Sequence, residues 1–311
     1  MTTPGGSSTD LADAQQSVMQ SRKLFTAAAG ELRPRLHRFC ARMCGSSLDG
    51  EDVVQETLAD AFYNLASLKD ATRFEAWLFR IAYHKCMDFQ RRARRRTDDV
   101  AFEEEHDSAA DANFDPVIDA PIDDALAKLV GELPPKERAA VLLKDVLDYP
   151  LAEIAEIADT TLAGVKAALH RGRGKLRITE LDRAPRVIEF DYEQRKLFEA
   201  YAEVFNRRDW DALKHLVRAD ARLELVGSTA GTMAGLGSDY SGNYTGLPWE
   251  WQLSANVVDG GLALVHWKRD GADWKPHAAI RLWWEGGKVV RIRDYVHVEY
   301  LMRYAEIARG A

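Results

Sequence analysis

Two runs of cations are the first chemistry this chain offers. One is Arg91-Arg92-Ala93-Arg94-Arg95-Arg96; the other gathers His170, Arg171, Arg173, Lys175 and Arg177. Cations at this density hold phosphates and release their counterions, so each run is a candidate nucleic-acid contact. The net charge of −7 hides both. Residues 98–124 hold eleven Asp and Glu and no Lys or Arg; setting that −11 aside leaves the other 284 residues at +4. Three further groups have reactive side chains. Asp294 shares a strand face with Val290, Ile292, Val296 and Val298, and an acid there would hold its proton more tightly and could act as a general base. His266, on the same face as Leu262 and Leu264, is its counterpart. Both also read as hydrogen-bonded core polar groups. His37, Cys40 and Cys44 lie at i, i+3 and i+7, a spacing open to a metal or redox sensor or to plain burial.

The elements that must position these groups follow from periodicity. Residues 1–20 read as a disordered N-terminus without a basic start or apolar core of a secretory signal. From 21 to 97 the pattern is helical: Val54, Leu58, Ala61, Phe62 and Leu65 recur at threes and fours, as do Phe74, Trp77, Leu78, Ile81, Ala82 and Phe89. Gly45-Ser46-Ser47 and Lys69-Asp70-Ala71-Thr72 divide it into three helices. Residues 98–124, with Pro116 and Pro121 among the acids, read as a flexible linker. A second helical block covers 125–183. Pro134-Pro135 start one helix, Tyr149-Pro150 end it, a short helix spans Leu151 to Ala158, and Thr161 caps a longer one. After a joint at 184–191, residues 192–218 are helical. Strands follow at 221–226, 249–258, 262–269, 277–284 and 288–300, with hairpin turns at Asp270-Gly271 and Glu285-Gly286-Gly287.

A short helix, a turn and a longer helix form a bihelical unit that can place its second helix in the major groove. Thr160, Thr161, Ala163 and Lys166 would then face base edges and phosphates, with His170, Arg171 and Arg173 on the backbone. A plain helical hairpin fits the same pattern. Three stretches add to it: Leu133-Pro134-Pro135-Lys136-Glu137-Arg138, Tyr149-Pro150-Leu151-Ala152-Glu153-Ile154-Ala155, and Val165-Lys166 with Leu169-His170-Arg171. Together they resemble region 4 of sigma-70 family factors, closest to the extracytoplasmic-function (ECF) group, where the unit binds the −35 element. Asp159 stands where that family usually has glycine, and Gly172 and Gly174 weaken the last turns.

The first block resembles region 2 of the same group. Asp49 to Phe62 is similar to the helix that grips the polymerase β′ clamp helices, which implies a core-binding role for Asp52, Gln55, Glu56 and Asp60. Phe74 to Arg92 is similar to the helix that opens the −10 element and traps an unstacked base. The resemblance implies phosphate contacts for Lys85, Arg91, Arg92, Arg94 and Arg95, and base contacts for Tyr83, His84, Lys69, Asp70 and Thr72. It also implies that region 4 meets the β flap and that the acidic linker threads the polymerase cleft.

Residues 192–311, through Tyr201-Ala202-Glu203-Val204-Phe205-Asn206, Asp209-Trp210-Asp211 and strand Arg222 to Val226, resemble SnoaL-like domains, which implies a cone of curved sheet and helices with a pocket. His266 and Asp294 would line it, with a small-molecule ligand as its occupant. The expected fold class is therefore multidomain: two all-α sigma domains followed by an α+β cone. No catalytic set, cofactor, metal or membrane partner is expected. Three cysteines and no apolar span place the chain in a reducing cytoplasm. The expected function is promoter recognition for RNA polymerase, with the C-terminal domain regulating it in cis. A DNA-binding regulator that never meets polymerase would lack the region 2 block, and an enzyme fused to a DNA-binding module would lose turnover when Asp294 is replaced.

Overall fold

Gly45, at φ +80°, ends helix α1 (Ser8–Cys44) in the left-handed conformation that glycine adopts without steric cost. The computed structural model describes residues 8–97, 133–179, 192–227, 230–232, 240–303 and 305–308. They form two units: Met1–Cys44 with Asp52–Glu180, and Gly45–Glu51 with Leu181–Ala311. Helix α1 already begins at Ser8, so the disorder expected over 1–20 gives way to helix there. Leu11, Ala12, Ala14, Gln15 and Gln16 favour helix, and no Gly or Pro separates them from residues 21–29. The acidic stretch 98–124 and the joint 184–191 lie outside the described residues.

Helices α1, α2 (Ser47–Tyr63), whose opening to Glu51 groups with the second unit, and α3 (Phe74–Thr97) are the three helices expected. Asp70 caps the short 3-10 turn (Ala71–Arg73) that leads into α3: its carboxylate accepts from Thr72 N and Thr72 Oγ1 at 2.9 and 2.7 Å, which holds its pKa below the usual value. Pro135 opens α4 (Pro135–Val141), which widens into a π-turn over Leu142–Val146; Leu147 N reaches back five residues to Leu142 O. Helices α5 (Leu151–Ile157) and α6 (Leu162–Thr179) follow.

The two helical blocks share one apolar core. Phe39, Leu78, Phe79, Ala82 and Tyr83 belong to the same buried cluster as Leu142, Leu143, Tyr149, Ile154 and Val165. The Phe79 ring lies 5.7 Å from Phe39 and 5.3 Å from Tyr149. A face of α3 that α1 leaves apolar is thus covered by α4 to α6.

The second unit is α+β. Phe198, Tyr201, Ala202 and Phe205, at helical spacing, bury one side of α7 (Tyr192–Asn206). Asp209 caps α8 (Trp210–Leu216) by accepting from Ala212 N at 3.0 Å. Among the described residues a seven-stranded sheet follows, in the order β2-β1-β6-β5-β4-β3-β7. Its strands are β1 (Val217–Leu225), β2 (Ala230–Thr232), β3 (Trp251–Val258), β4 (Gly261–Asp270), β5 (Asp273–Glu285), β6 (Lys288–Asp294) and β7 (Ile307–Ala308), with the short helix α9 (Gly242–Thr245) before β3. β1 and β6 pair in parallel and the other neighbours antiparallel. The hairpin turns sit at Gly271 and Gly286-Gly287, all at positive φ. One sheet face, with Leu253, Leu264, Ile280, Leu282 and Ile292, packs on α7. The other carries Ala263, Val265 and Ala279 against Val298, Leu301, Met302 and Leu48.

The last long strand is shorter than expected. Asp294 Oδ1 accepts from Val296 N at 2.9 Å, an Asx turn that ends β6 at Asp294 rather than at 300. The alternation therefore fails beyond it: Ile292 and Val296 stay with the helix-side core, and Val298 passes to the other.

Candidate nucleic-acid interface

Helices α5 and α6 form the bihelical unit. Ile154 and Ile157 of α5 bury against Val165, Ala168, Leu169 and Leu176 of α6. Thr161 caps α6, its Oγ1 accepting from Gly164 N at 3.0 Å. Thr160, Thr161, Ala163, Lys166 and His170 lie together on the exposed side, the arrangement a groove-reading helix needs. Arg171 is half-buried, 3.0 Å from Glu137 Oε1, and Lys175 approaches Glu137 Oε2 at 2.9 Å.

Arg173 departs from its expected place on the DNA backbone. It is only 6% exposed and forks onto Asp145, with Nη2 2.6 Å from Oδ1 and Nε 3.1 Å from Oδ2. The reason is phase: Leu169, Arg173 and Leu176 share the face that packs on α4. The pair ties α6 to the π-turn. Gly172 serves the same contact, because a Cβ there would meet Val141 Cγ2 at 2.9 Å.

Of the residues expected at the −10 element, Lys69, Asp70 and Thr72 form an exposed loop before α3. Tyr83 does not stand open to a base. It is buried under α5 and α6, and burial together with the nearby Asp159 carboxylate raises its pKa. His84 is exposed and edge-on to Tyr83, with Nε2 3.8 Å from Asp159 Oδ2. Along α3, Lys85 pairs with Asp60 at 2.6 Å, Arg91 with Asp88 at 2.6 Å, and Arg92 reaches Glu56 at 4.0 Å. Arg95 is exposed, and the side chain of Arg94 is outside the described set. Two acids expected to meet polymerase, Glu56 and Asp60, therefore face two cations expected to meet DNA. Asp52 and Gln55 are half-buried, and Val53, Val54 and Ala61 fill the opposite face of α2.

Sequence periodicity did not reveal Arg80, whose Nη2 lies 3.0 and 3.1 Å from the two carboxylate oxygens of Asp159. Nor did it reveal Glu224, a buried acid on β1 with Arg222, Arg291 and Arg293 at 2.6, 3.3 and 3.1 Å. A period-two count places Arg222, Glu224, Arg291 and Arg293 on one sheet face, which was the available signal.

In the second unit Asp294 is fully buried. Its Oδ2 accepts from Tyr240 Oη at 2.9 Å and from Tyr244 Oη, and its Oδ1 from Val296 N. Burial pushes its pKa up to about 6 against these donors. His266 is equally buried, and among the described residues neither ring nitrogen has a hydrogen-bond partner. The rings of Tyr244, Trp251 and His277 stand 5.3 to 5.4 Å from it, and burial pushes its pKa down to about 3, helped by His277 and Arg208. Tyr244 thus bridges the two expected pocket residues. Both acid oxygens of Asp294 are engaged, an arrangement suited to holding α9 on the sheet.

Cys86 lies against Cys40 and Cys44, and burial raises its pKa well up, the reverse of what a reactive thiolate needs. Among the described residues, no group of three His, Cys, Asp or Glu side chains is arranged to hold a metal, and no helix is long and apolar enough to cross a membrane.

Comparison with known proteins agrees with this geometry. Residues 29–96 match the Sigma-70 region 2 family and residues 123–176 the Sigma-70 region 4 family. ECF RNA polymerase sigma factor SigG of Mycobacterium tuberculosis is 30% identical over 65% of this chain, which spans 61% of SigG. ECF RNA polymerase sigma factor SigF of Caulobacter vibrioides is 34% identical over 43% of this chain and 72% of its own length. The crystal structure of M. tuberculosis sigma factor SigJ is 21% identical, covers 87% of this chain and 95% of that one, and has a TM-score of 0.34. With both sigma-70 regions in order and a relative of this identity covered over most of its length, the chain belongs to the ECF RNA polymerase sigma factors.

Proposed function

We propose that this chain binds the RNA polymerase core and directs it to promoters. On this reading Asp52, Gln55, Glu56 and Asp60 meet the β′ clamp helices. The α3 cations with Lys69, Asp70 and Thr72 engage the −10 element, and Thr160, Thr161, Ala163, Lys166 and His170 read the −35 element. The β flap receives region 4, and the acids of 98–124 thread the polymerase cleft. The observation that carries the reading is the exposed row Thr160, Thr161, Ala163, Lys166 and His170 on a capped second helix, in one chain with a region 2 helix pair. Its test is co-purification with core polymerase lacking its own specificity subunit, followed by promoter-dependent transcription. Failure to associate with core refutes it.

The residues themselves bind rather than react, so no catalysis is assigned. The C-terminal unit is read as a SnoaL-like domain that regulates in cis. Support comes from Gly45–Glu51, which opens α2 and groups with that unit: Asp259 Oδ2 accepts from Ser47 N at 2.6 Å, and Tyr300 Oη donates to Glu51 Oε2 at 2.7 Å. Asp259→Ala should change transcription without changing promoter choice; identical transcription by the variant rules the regulatory role out.

A further inference from the structure

We propose that Glu156 and Asp159 of the bihelical unit act as an internal substitute for DNA phosphates, latching the −35 reader over the −10 reader of the same chain. The proposal rests on the reading of α3 and α5–α6 as the two promoter-binding elements, and it goes beyond that reading by assigning a closed state and the residues that hold it.

Four observations in the first unit converge. Arg73, Arg80 and His84 form a cationic stripe at and along α3, at intervals of seven and four that bring them to one side of a helix. Opposite them stand two acids three residues apart: Arg73 pairs with Glu156, Arg80 forks onto Asp159 at 3.0 and 3.1 Å, and His84 lies 3.8 Å from it. Beneath the ion pairs Tyr83 is buried, and Glu75 accepts from Tyr149 Oη at 2.6 Å. Last, Asp159 sits at φ +55°, where a glycine would cost less. A charged residue at the tip of this turn spends backbone energy to place a carboxylate against α3.

The Asp159 carboxylate presents both oxygens to one guanidinium nitrogen of Arg80, the charge-assisted contact that a phosphate would otherwise make there. The same cations cannot hold Asp159 and a nucleic-acid backbone together, so DNA must displace the bihelical unit before it reaches α3. The pairs are about half exposed, so each adds only modestly to the apolar core that joins the two blocks, and together they bias the closed state with which DNA competes. Opening uncovers Tyr83 in the same movement that frees α5–α6.

The test uses the full-length chain and a fluorescein-labelled single-stranded DNA decamer of mixed sequence, read by anisotropy. Asp159→Gly keeps the left-handed turn and deletes the carboxylate; Asp159→Asn keeps a side chain that tolerates this φ and deletes only the charge. A thermal melt confirms that both fold. Removing one exposed ion-pair partner of this kind should tighten decamer binding by about two- to five-fold in each variant. Glu156→Gln added to Asp159→Gly should tighten it further. Equal affinity of wild type and both Asp159 variants overturns the latch. Core-polymerase binding by the wild type is measured separately: its absence would overturn the sigma-factor reading, while decamer affinity still reports on the latch.

Discussion

Arg173→Ala separates a structural arginine from a DNA-binding one. Its guanidinium makes two bonds to Asp145, and the two side chains are 7% and 6% exposed. Removing one member of a buried pair leaves the other charge uncompensated, at a cost of about 3–5 kcal/mol. At about 1.4 kcal/mol per decade that is roughly a hundred- to several-thousand-fold rise in the open population of α4–α6. Amide hydrogen exchange in the full-length chain reads this directly, because protected amides exchange through such openings. Exchange should accelerate in α4 and α6 and stay unchanged in the β-sheet. The paired variant Arg173→Met with Asp145→Leu removes both charges and should recover most of the protection. Wild-type exchange in Arg173→Ala refutes a structural role for the pair. That role fails most plainly if the variant instead weakens −35 duplex binding with a salt slope reduced by about one, the signature of a lost phosphate contact.

Three further outcomes are expected. Gly172→Ala places a methyl 2.9 Å from Val141 Cγ2 and should destabilise by about 1–3 kcal/mol, whereas Gly174→Ala, with open space around it, should stabilise by up to about 1 kcal/mol; thermal melts compare them. Asp294 holds its proton to about pH 6 when folded against 3.8 in its ordinary state, so the native chain binds more protons between those values. Its contribution to stability is therefore full below about pH 4 and declines as pH rises to about 6, by roughly 3 kcal/mol. Asp294→Asn cannot titrate, and a stability gap between variant and wild type that stays constant from pH 4 to 7 contradicts this account. Asp259 accepts from Ser47 N and Glu306 N, so Asp259→Ala should cost about 1–3 kcal/mol in urea denaturation of the second unit.

The local devices were legible because each acts within a few residues. Pro135, Tyr149-Pro150, the Thr161 cap and the glycine turns set the element boundaries, and the exposed row on α6 followed from phase. Arg173 suggests a DNA contact by its charge, but its phase beside Leu169 and Leu176 sends it inward, and phase prevails. The end of β6 was missed because the Asp294 side chain itself stops the strand. What periodicity could not supply was partnership across distance. Nothing near Arg80 announces Asp159, 79 positions on, and nothing in α3 says that its apolar face will be closed by a second block. Such contacts depend on which faces remain uncovered after each block has folded, and that is a property of the whole unit.

Phe79 touches Phe39 on one side and Tyr149 on the other, so a single ring belongs to the interior of both helical blocks. Grafting a relative's region 4 onto this chain would import a foreign neighbour for that ring while leaving Phe79 and Phe39 native. Chimeras would then carry a mismatched seam, and matching the residue at 149 to its new neighbours becomes the first step in building them.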